Sequence, residues 1–346
     1  MRKKVLIKGP ALSMSGYGEQ TRFALRSLRS REDLFDIFLI NIPWGKTGWT
    51  IEESEETQWI AGLMAKTHGY IQQKGSFDIS IQVTIPNEFE KIAPVNIGYT
   101  AGIETTKIAP QWIEKAKLMD KIIVVSNHSK DVFNNTEYKA KNEQTGQVVD
   151  FKNTTPVEVV HFPVKKINSK ELELDLKTDF NFLSVAQWGP RKNVEATIVG
   201  FLKEFKNDPD VGLVLKLNVA KNCIMDRVAC EKRVELAKKK VPDAKCKVYL
   251  LHGNMSEEEM VGLYNHPKIK ALVSTTHGEG FGLPLFEAVC NALPVIAPKW
   301  SGHVDFLLAP VKEDGKVRMR NHFTGIDFDL NQVNKEAVWD GVIQSD

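Results

Sequence analysis

Two glutamates eight residues apart flank a glycine-rich stretch that reads EGFGLPLFE from Glu279 to Glu287. An apolar, β-prone run at residues 271–276 precedes the stretch, and an apolar helical pattern begins near Pro284. These features predict a strand, a tight loop and a helix N-terminus, where backbone amides and the helix dipole favour a phosphate group. Because carboxylates repel phosphate, Glu279 and Glu287 are expected to bind hydroxyl groups. Phosphate and hydroxyls in one site indicate a sugar nucleotide.

The position of Pro284 predicts where this helix begins. Proline suits the first helical position, since its missing N–H costs no hydrogen bond there. Glu287 would then lie in the first turn, and Glu279 on the loop before the helix. The alternative is a generic strand–loop–helix unit in which both carboxylates only complement the helix dipole.

A second glycine-rich loop, LSMSGYGEQ at residues 12–20, follows an earlier predicted strand and opens a helix. A dinucleotide-binding loop would read G-x-G-x-x-G, but Thr21 occupies the position of the third glycine. The second predicted strand also lacks the terminal acidic residue that binds the ribose of a dinucleotide. The sequence therefore argues against a nicotinamide-dependent dehydrogenase.

Composition limits the classes of function. The 346 residues are 42% hydrophobic and 26% charged, and the net charge is +2. These values predict two soluble domains and no strong overall attraction to DNA or to acidic membranes. No apolar stretch is long enough for a transmembrane segment or a signal peptide. The four cysteines show no C-x-x-C spacing, so a reducing, cytoplasmic compartment is expected.

The sequence offers no clear metal site. No group of His, Cys and carboxylate residues has metal-ligand spacing. Asp327-Phe328-Asp329 spells D-x-D, a metal–diphosphate motif, but it lies far beyond the phosphate segment and is interpreted as a chance occurrence. We therefore expect neither a metal nor a cofactor.

The elements that must position these residues follow an alternating pattern. Short apolar runs alternate with helical patterns, which predicts an α/β protein with two Rossmann-like halves built on mainly parallel sheets. Strands are predicted at residues 4–8, 35–40, 79–83, 96–99, 121–125, 157–161, 181–185, 212–217, 247–251, 271–274 and 294–297. Helices are predicted at residues 19–28, 57–73, 111–118, 194–205, 227–240, 257–264 and 284–290.

The segment that begins at Glu279, EGFGLPLFEAVCNALPVIA, resembles the E-x7-E segment of GT-B fold glycosyltransferases, above all those of glycosyltransferase family 4. Three further segments follow that family's order. VAQWGPRKN at residues 185–193 resembles the segment with a donor-phosphate lysine, LLHGNMSEEEM at 250–260 resembles the stretch that lines the nucleobase, and WSGHVD at 300–305 resembles the turn after the next strand. The resemblance implies two Rossmann-like domains that face each other across a cleft.

The resemblance also implies a division of the chain. Residues 1–165 would form the acceptor domain and residues 179–330 the nucleotide-sugar donor domain. The charged segment 166–178 lacks a compact apolar pattern and is predicted to be a linker. Residues 331–346 would supply one helix at most, which crosses back to the first domain. The polar insertion at residues 138–155 is expected to be a hairpin or a loop.

The family's roles transfer to matching residues. Glu287 would bind the ribose hydroxyls, and Glu279 the hydroxyls of the transferred sugar. Lys192, with Arg191 beside it, would neutralise the departing diphosphate. Lys216, at a strand end, is a second candidate for that charge, unless it is only a solvated lysine. The other residues expected to contact the donor are Gly16, Gly18, Gly280, Phe281, Gly282 and Leu283.

Two positions depart from the family pattern. Many relatives have arginine where Gln187 stands, which leaves the source of the second positive charge open. Many also have histidine where Ile103 stands, so no histidine base is carried over to that position. Glu104 is then the nearest polar candidate, as a ligand of the acceptor or of the donor sugar or as a structural cap. His128 follows the next strand and is either an acceptor ligand or a structural neighbour of a helix cap.

The loop NIPWGKTGW carries two tryptophans around a lysine: Trp44, Lys46 and Trp49. Aromatic faces stack on sugars and on nucleobases alike. This loop is therefore our candidate for contact with the acceptor, and the alternative is that both tryptophans are packed in the interior.

Taken with the resemblance, these residues predict a retaining, metal-independent glycosyltransferase that uses a UDP- or GDP-sugar. Lys192, Arg191, Glu279 and Glu104 are the predicted catalytic residues. A hydroxymethylated base of viral DNA is one candidate acceptor, which would make nucleic acid a partner; a glycan, a lipid and a small molecule are the others. A non-catalytic sugar-nucleotide binding protein and a GT-B fold epimerase are the competing functions. The sequence leaves the oligomeric state open.

Overall fold

The computed structural model describes residues 2–50, 53–141 and 148–344. The chain divides into two compact units. The first unit comprises Met1–Phe162 together with Gln332–Asp346, and the second comprises Pro163–Asn331.

The first unit is built on a six-stranded parallel sheet with helices between the strands. Its strands are β1 (Lys3–Gly9), β2 (Phe35–Asn41), β3 (Ile79–Val83), β4 (Val95–Thr100), β5 (Lys121–Val124), β6 (Glu137–Lys141), β7 (Val148–Lys152) and β8 (Val157–Val159). Its helices are α1 (Gly16–Arg29), α2 (Glu55–Gln72), α3 (Pro110–Ala116) and α4 (Asn127–Asn135). The strand order is β2-β1-β3-β4-β5-β8, so the direction of winding reverses between β1 and β3.

The central strands read as continuous apolar runs because helices cover both faces of a parallel sheet. Val5, Leu6 and Ile7 of β1 are at most 1% exposed. The pair β6–β7 lies outside this sheet as an antiparallel hairpin, which decides between the two structures expected for the polar insertion. Residues 142–147 of that insertion lie outside the described residues.

The second unit repeats the plan with a different strand order. Its strands are β9 (Phe180–Gln187), β10 (Val211–Asn218), β11 (Lys247–Leu251), β12 (Ile269–Val273), β13 (Val295–Pro298), β14 (Leu308–Glu313), β15 (Lys316–Asn321) and β16 (Thr324–Ile326). Its helices are α5 (Val194–Glu204), α6 (Ile224–Lys238), α7 (Glu257–Tyr264), α8 (Leu283–Cys290) and α9 (Val304–Leu307). The parallel sheet has the order β11-β10-β9-β12-β13-β16, which reverses between β9 and β12.

Alternate residues of β10 face the two sides of this sheet, as strand geometry requires. Val214 packs in one apolar cluster with Tyr264, whereas Leu213 and Leu215 pack in the other with Phe201. The two clusters form the core of the second unit and fix the carboxyl ends of its strands along one edge.

The segment predicted as a linker belongs to the second unit, which corrects the prediction. Leu176 is 6% exposed in the core cluster beneath the sheet, and Leu172 and Leu174 pack against that cluster. The three leucines alternate with Glu173 and Asp175, so one side of the extended chain is buried while its charges remain in solvent. The charges hid this pattern in the sequence.

Other parts of the chain also differ from the predictions. Helix α9 and the antiparallel hairpin β14–β15 were not predicted. Within residues 332–344, the described part of the C-terminal segment, the structure contains a short 3₁₀ turn at Lys335–Ala337 and no α-helix. This segment lies in the first unit, where Val342 is 8% exposed.

Two bulk properties can be read directly from the structure. No helix in the described ranges combines the length and the apolar character needed to span a bilayer. All four cysteines are free thiols.

Candidate active site

The carboxyl edge of the second sheet contains a switch point between β9 and β12. Ligands of open α/β sheets bind outside the strand ends at such a point. The loop after β9, residues 188–193, and the loop after β12, residues 274–282, meet here, since the His277 N–H donates to the Arg191 carbonyl at 2.8 Å. Two segments singled out in the sequence are thus brought together by the strand order.

Opposite charges meet at the centre of this edge. The Lys192 Nζ lies 2.5 Å from Glu279 Oε1, and an Arg191 guanidinium nitrogen lies 3.0 Å from Oε2. The Glu279 side chain is 8% exposed. Burial alone would raise the pKa of Glu279, but the two cations outweigh burial and lower this pKa from 4.5 to about 2. The net charge of these three side chains is thus +1, which favours an anion beside them.

Helix α8 begins directly beside this charge cluster. Its N-cap is Gly282, whose φ of +90° lies in the left-handed region that favours glycine. The prediction that Pro284 is the first helical residue is wrong: Leu283 is first, Pro284 is second, and Glu287 lies beyond the first turn. Backbone N–H groups at the start of α8 have no intrahelical acceptor, so they are suited to bind an anion.

Glu287 is held in place by a residue that the sequence did not reveal. The Tyr264 hydroxyl donates to Glu287 Oε2 at 2.7 Å. Tyr264 is 2% exposed, and burial together with the negative charge of Glu287 raises the pKa of its hydroxyl. The hydroxyl therefore stays protonated and orients an otherwise exposed carboxylate. The two residues are 23 positions apart, and no sequence spacing connects them.

The turn after β13 is hydrogen-bonded to the loop that carries Glu279. The Gly302 N–H donates to the Glu279 carbonyl at 2.8 Å. A Cβ at Gly302 would lie 2.0 Å from the Gly280 carbonyl oxygen, so the close approach requires glycine. This contact is a physical reason for glycine at position 302 in the turn of residues 300–305.

The other positions considered for the second positive charge, Lys216 and Gln187, have different partners. Lys216 Nζ donates to the Gly253 carbonyl at 2.6 Å, and burial lowers the pKa of this lysine. Gln187 donates to the Val219 carbonyl at 2.9 Å. Arg191 is therefore the cation that accompanies Lys192 at Glu279, whereas Lys216 lies near the loop after β11.

A cluster of possible metal ligands, absent from the sequence spacing, forms in the tertiary structure. Ligand atoms of Asp226, Cys230 and His252 lie within 4.8 Å of one another. The Asp226 carboxylate accepts N–H groups from the loop at residues 219–222, and His252 Nε2 lies 3.3 Å from its Oδ2. Backbone N–H groups already bind this carboxylate. We therefore interpret the cluster as structural: its contacts join the loop after β10 to the loop after β11, beside the switch point.

In the first unit, the switch point lies between β1 and β3, and the glycine-rich loop of residues 12–20 follows the end of β1 there. Gly16 is exposed and is the first residue of α1, and the Ser15 hydroxyl accepts the Gly18 N–H as the N-cap. A Cβ at Gly18 would lie 1.9 Å from the Ser13 carbonyl oxygen. Gly18 is therefore required for packing, whereas Gly16 faces solvent.

The tryptophan loop pairs with this glycine-rich loop, since the Met14 N–H donates to the Gly48 carbonyl at 2.9 Å. The Trp44 ring packs against Tyr17 at 4.2 Å between ring centroids. Trp49 is 53% exposed and Lys46 is also exposed. Trp44 thus supports the loop, whereas Trp49 offers a ring to solvent.

The remaining first-unit candidates lie after β4 and β5. Ile103 is 1% exposed, so an apolar side chain fills the position of the family histidine. Glu104 is half-buried; burial chiefly, and in smaller part this carboxylate, raises the pKa of Tyr17 to about 12. His128 lies in the first turn of α4, next to the capping serine Ser126.

Known proteins are similar in sequence to about a third of this chain. No family model matches the chain. The serotype-specific mannosyltransferase WbdA of Escherichia coli is 33% identical over 116 residues, which cover 34% of this chain and 13% of WbdA. A probable sucrose-phosphate synthase of Thermosipho melanesiensis is 35% identical over 122 residues, covering 34% of this chain and 26% of the relative. The matched part is thus a small fraction of both curated relatives.

Solved structures match over most of the chain. The apo form of the lipopolysaccharide outer core galactosyltransferase WaaB has a TM-score of 0.52 at 15% identity and covers 89% of this chain and 84% of its own. HepE of Anabaena, solved with UDP and glucose, has a TM-score of 0.53 at 14% identity, with 94% and 86% covered. Apo OtsA has a TM-score of 0.56 at 10% identity, with 88% and 86% covered. The chain has the GT-B fold. The predicted fold class is confirmed, and at such identities the likeness concerns the fold alone.

Proposed function

We propose that this protein is a retaining, metal-independent glycosyltransferase, akin to family 4, that transfers a sugar from a UDP- or GDP-sugar to an acceptor hydroxyl. The observation that carries the proposal is the meeting of Lys192, Arg191 and Glu279 at the switch point beside the start of α8. Surplus positive charge and a helix N-terminus suit a diphosphate, and a buried ionised carboxylate suits sugar hydroxyls.

The proposed donor contacts use this arrangement. Lys192 and Arg191 would bind the diphosphate, and Glu279 the hydroxyls of the sugar. Glu287, oriented by Tyr264, would bind the ribose hydroxyls. As the bond between the anomeric carbon and the phosphate oxygen breaks, the electron pair goes to that oxygen, and the two cations and α8 stabilise the added negative charge.

The acceptor step would need no dedicated protein base. The acceptor hydroxyl attacks the anomeric carbon from the face that the diphosphate leaves, and its proton passes to the departing phosphate oxygen. The configuration is therefore retained. The buried Ile103, which stands where many relatives have histidine, is compatible with this route. Glu104 would bind a hydroxyl of the acceptor or of the sugar.

For the acceptor, we propose a hydroxymethylated base in DNA. The exposed Trp49 offers an aromatic face for a base, and Lys46 offers a charge for a phosphate. A glycan is the second candidate, because the name of WaaB refers to the outer core of lipopolysaccharide. A saccharide ring would also stack on Trp49.

Mass spectrometry of reactions that pair UDP- and GDP-sugars with hydroxymethylated DNA, glycans and small alcohols tests the proposal. The expected result is one added sugar per acceptor hydroxyl, unchanged by a chelator, with the anomeric configuration of the donor retained by NMR. A donor that binds without transfer or hydrolysis would instead indicate a binding protein. Isomerisation of the donor without an acceptor would indicate an epimerase, and a donor panel without any binding would refute the proposal.

Two variants separate the donor from the acceptor. Glu287→Ala is expected to weaken nucleotide affinity, and unchanged affinity would reject the ribose assignment. Trp49→Ala is expected to raise the KM of the acceptor and leave the KM of the donor unchanged. Trp339→Ala, which removes a ring that is 60% exposed in the C-terminal segment, is the matched control.

A further inference from the structure

The turn after β13 contains a strained serine. Ser301 has a φ of +81°, a left-handed conformation that non-glycine residues rarely adopt, and it is 5% exposed. Such strain persists only where surrounding contacts determine the conformation, and it occurs most often at functional sites. The contacts of Ser301 therefore indicate what the strain serves.

A chain of hydrogen bonds fixes the direction of the Ser301 hydroxyl. His303 is fully buried, and its Nε2 lies 2.7 Å from the Pro298 carbonyl oxygen. A carbonyl only accepts, so Nε2 carries the proton and Nδ1 of the neutral ring is an acceptor. Nδ1 lies 3.3 Å from Ser301 Oγ, so the hydroxyl hydrogen points to the histidine. Burial lowers the pKa of His303, which keeps this ring neutral.

The other side of the hydroxyl faces Glu279. With its hydrogen on His303, Ser301 Oγ accepts the Glu279 N–H at 2.9 Å. The next residue, Gly302, donates its N–H to the Glu279 carbonyl at 2.8 Å. Both backbone groups of Glu279 are thus held by the same turn, and the carboxylate of Glu279 reaches Lys192 from this fixed backbone.

We infer that Ser301 and His303 are positioning residues of the donor site, which set the place of Glu279 and thereby the affinity for the sugar part of the donor. The inference rests on the proposed function, in which Glu279 binds hydroxyls of the transferred sugar. Neither side chain needs to touch the donor. Their action passes through the backbone of Glu279.

The sugar and the nucleotide can be measured apart. Calorimetry with UDP-glucose against UDP, and with GDP-mannose against GDP, gives the ratio of affinities with and without the sugar. Ser301→Ala and Ser301→Gly leave a buried N–H without its acceptor, so each is expected to lower this ratio about tenfold. Affinity for UDP or GDP alone should change less, by about twofold at most, because the hydroxyl bonds the backbone of Glu279 and reaches Lys192 and Arg191 only through that residue.

The two serine variants also separate the hydroxyl from the backbone. Glycine relieves the left-handed strain and alanine retains it, yet both remove the hydroxyl. Equal losses in both variants support the inference. If Ser301→Gly keeps the wild-type ratio, the backbone conformation is what matters and the inference is overturned.

Variants of His303 test the other part of this series of hydrogen bonds. His303→Phe keeps the bulk and removes the acceptor for the Ser301 hydroxyl hydrogen, while Oγ can still accept the Glu279 N–H, so it should give part of the loss of Ser301→Ala. His303→Asn restores an acceptor oxygen near Nδ1 and should recover part of the ratio. Equal ratios in Phe and Asn variants would contradict the role of His303.

Controls separate an effect on folding and a failure of the proposed function from a failure of the present inference. Ser54→Ala removes a hydroxyl that accepts a backbone N–H in the first unit, at the start of α2, and should lower stability without changing the ratio. If neither pair of ligands binds the wild-type protein, the proposed function fails. If the ligands bind and the Ser301 variants match the wild-type ratio, only the present inference fails.

Discussion

Replacing Glu279 with glutamine removes the negative charge between Lys192 and Arg191 and nearly preserves the shape of the side chain. Glutamine resembles the protonated glutamic acid, so the cost follows from the lowered pKa. That pKa falls from 4.5 to about 2, and at about 1.4 kcal/mol per unit the ionised form contributes about 3 kcal/mol to stability. Solvent screening is small because the side chain is only 8% exposed.

The pH dependence has a definite sign. The pKa of Glu279 is lower in the folded state, so its contribution is complete above the ordinary value of 4.5 and disappears as the pH falls toward about 2. Glu279→Gln should therefore be less stable than the wild type at pH 7, by roughly 6–12 °C in the melting temperature of the second unit. The gap should narrow below pH 4.5.

Thermal unfolding by circular dichroism at pH 7, 5, 4 and 3 measures this gap. Glu313→Gln is the matched control, since Glu313 pairs with Arg320 on the exposed hairpin and should change stability by no more than about 1 kcal/mol. Two results would refute this role of the Glu279 charge. One is a melting temperature of Glu279→Gln equal to that of the wild type at pH 7, and the other is a difference in melting temperature at pH 3 as large as the difference at pH 7. The variant should also bind UDP more tightly, because both cations then face the ligand.

Three further substitutions test separate parts of the site. Lys192→Gln should lower kcat/KM for the donor by about 10²–10³, because one cation at the departing phosphate is lost; steady-state kinetics with an unchanged value would exclude that role. Tyr264→Phe should raise the KM of the donor about three- to tenfold with little change in kcat, since the carboxylate of Glu287 loses the hydrogen bond from Tyr264; an equal loss in kcat would contradict this. Gly302→Ala should destabilise the protein by roughly 1–3 kcal/mol, because its methyl group meets the Gly280 carbonyl; denaturant unfolding with an unchanged midpoint would count against the close contact.

Properties that are local along the chain could be predicted well. The strand runs at residues 79–83 and 247–251 and the helix at 257–264 match the structure without a shift. Their apolar periodicity is set by neighbours within a few residues, and the same holds for the glycine-rich loop before α8. The segment at residues 172–176 was predicted wrongly as a linker, because the charged residues between its leucines obscured the apolar alternation.

The sequence by itself determined the α/β class and the segment that begins at Glu279, because periodicity, glycines and helix signals act locally. The tertiary structure decided which residues meet that glutamate. Lys192 lies 87 positions away, and Ser301 lies 22 away. These partners converge because the order of β9, β12 and β13 in the sheet brings their carboxyl ends to one edge. Strand order depends on non-local packing and hydrogen bonds, which no local pattern encodes.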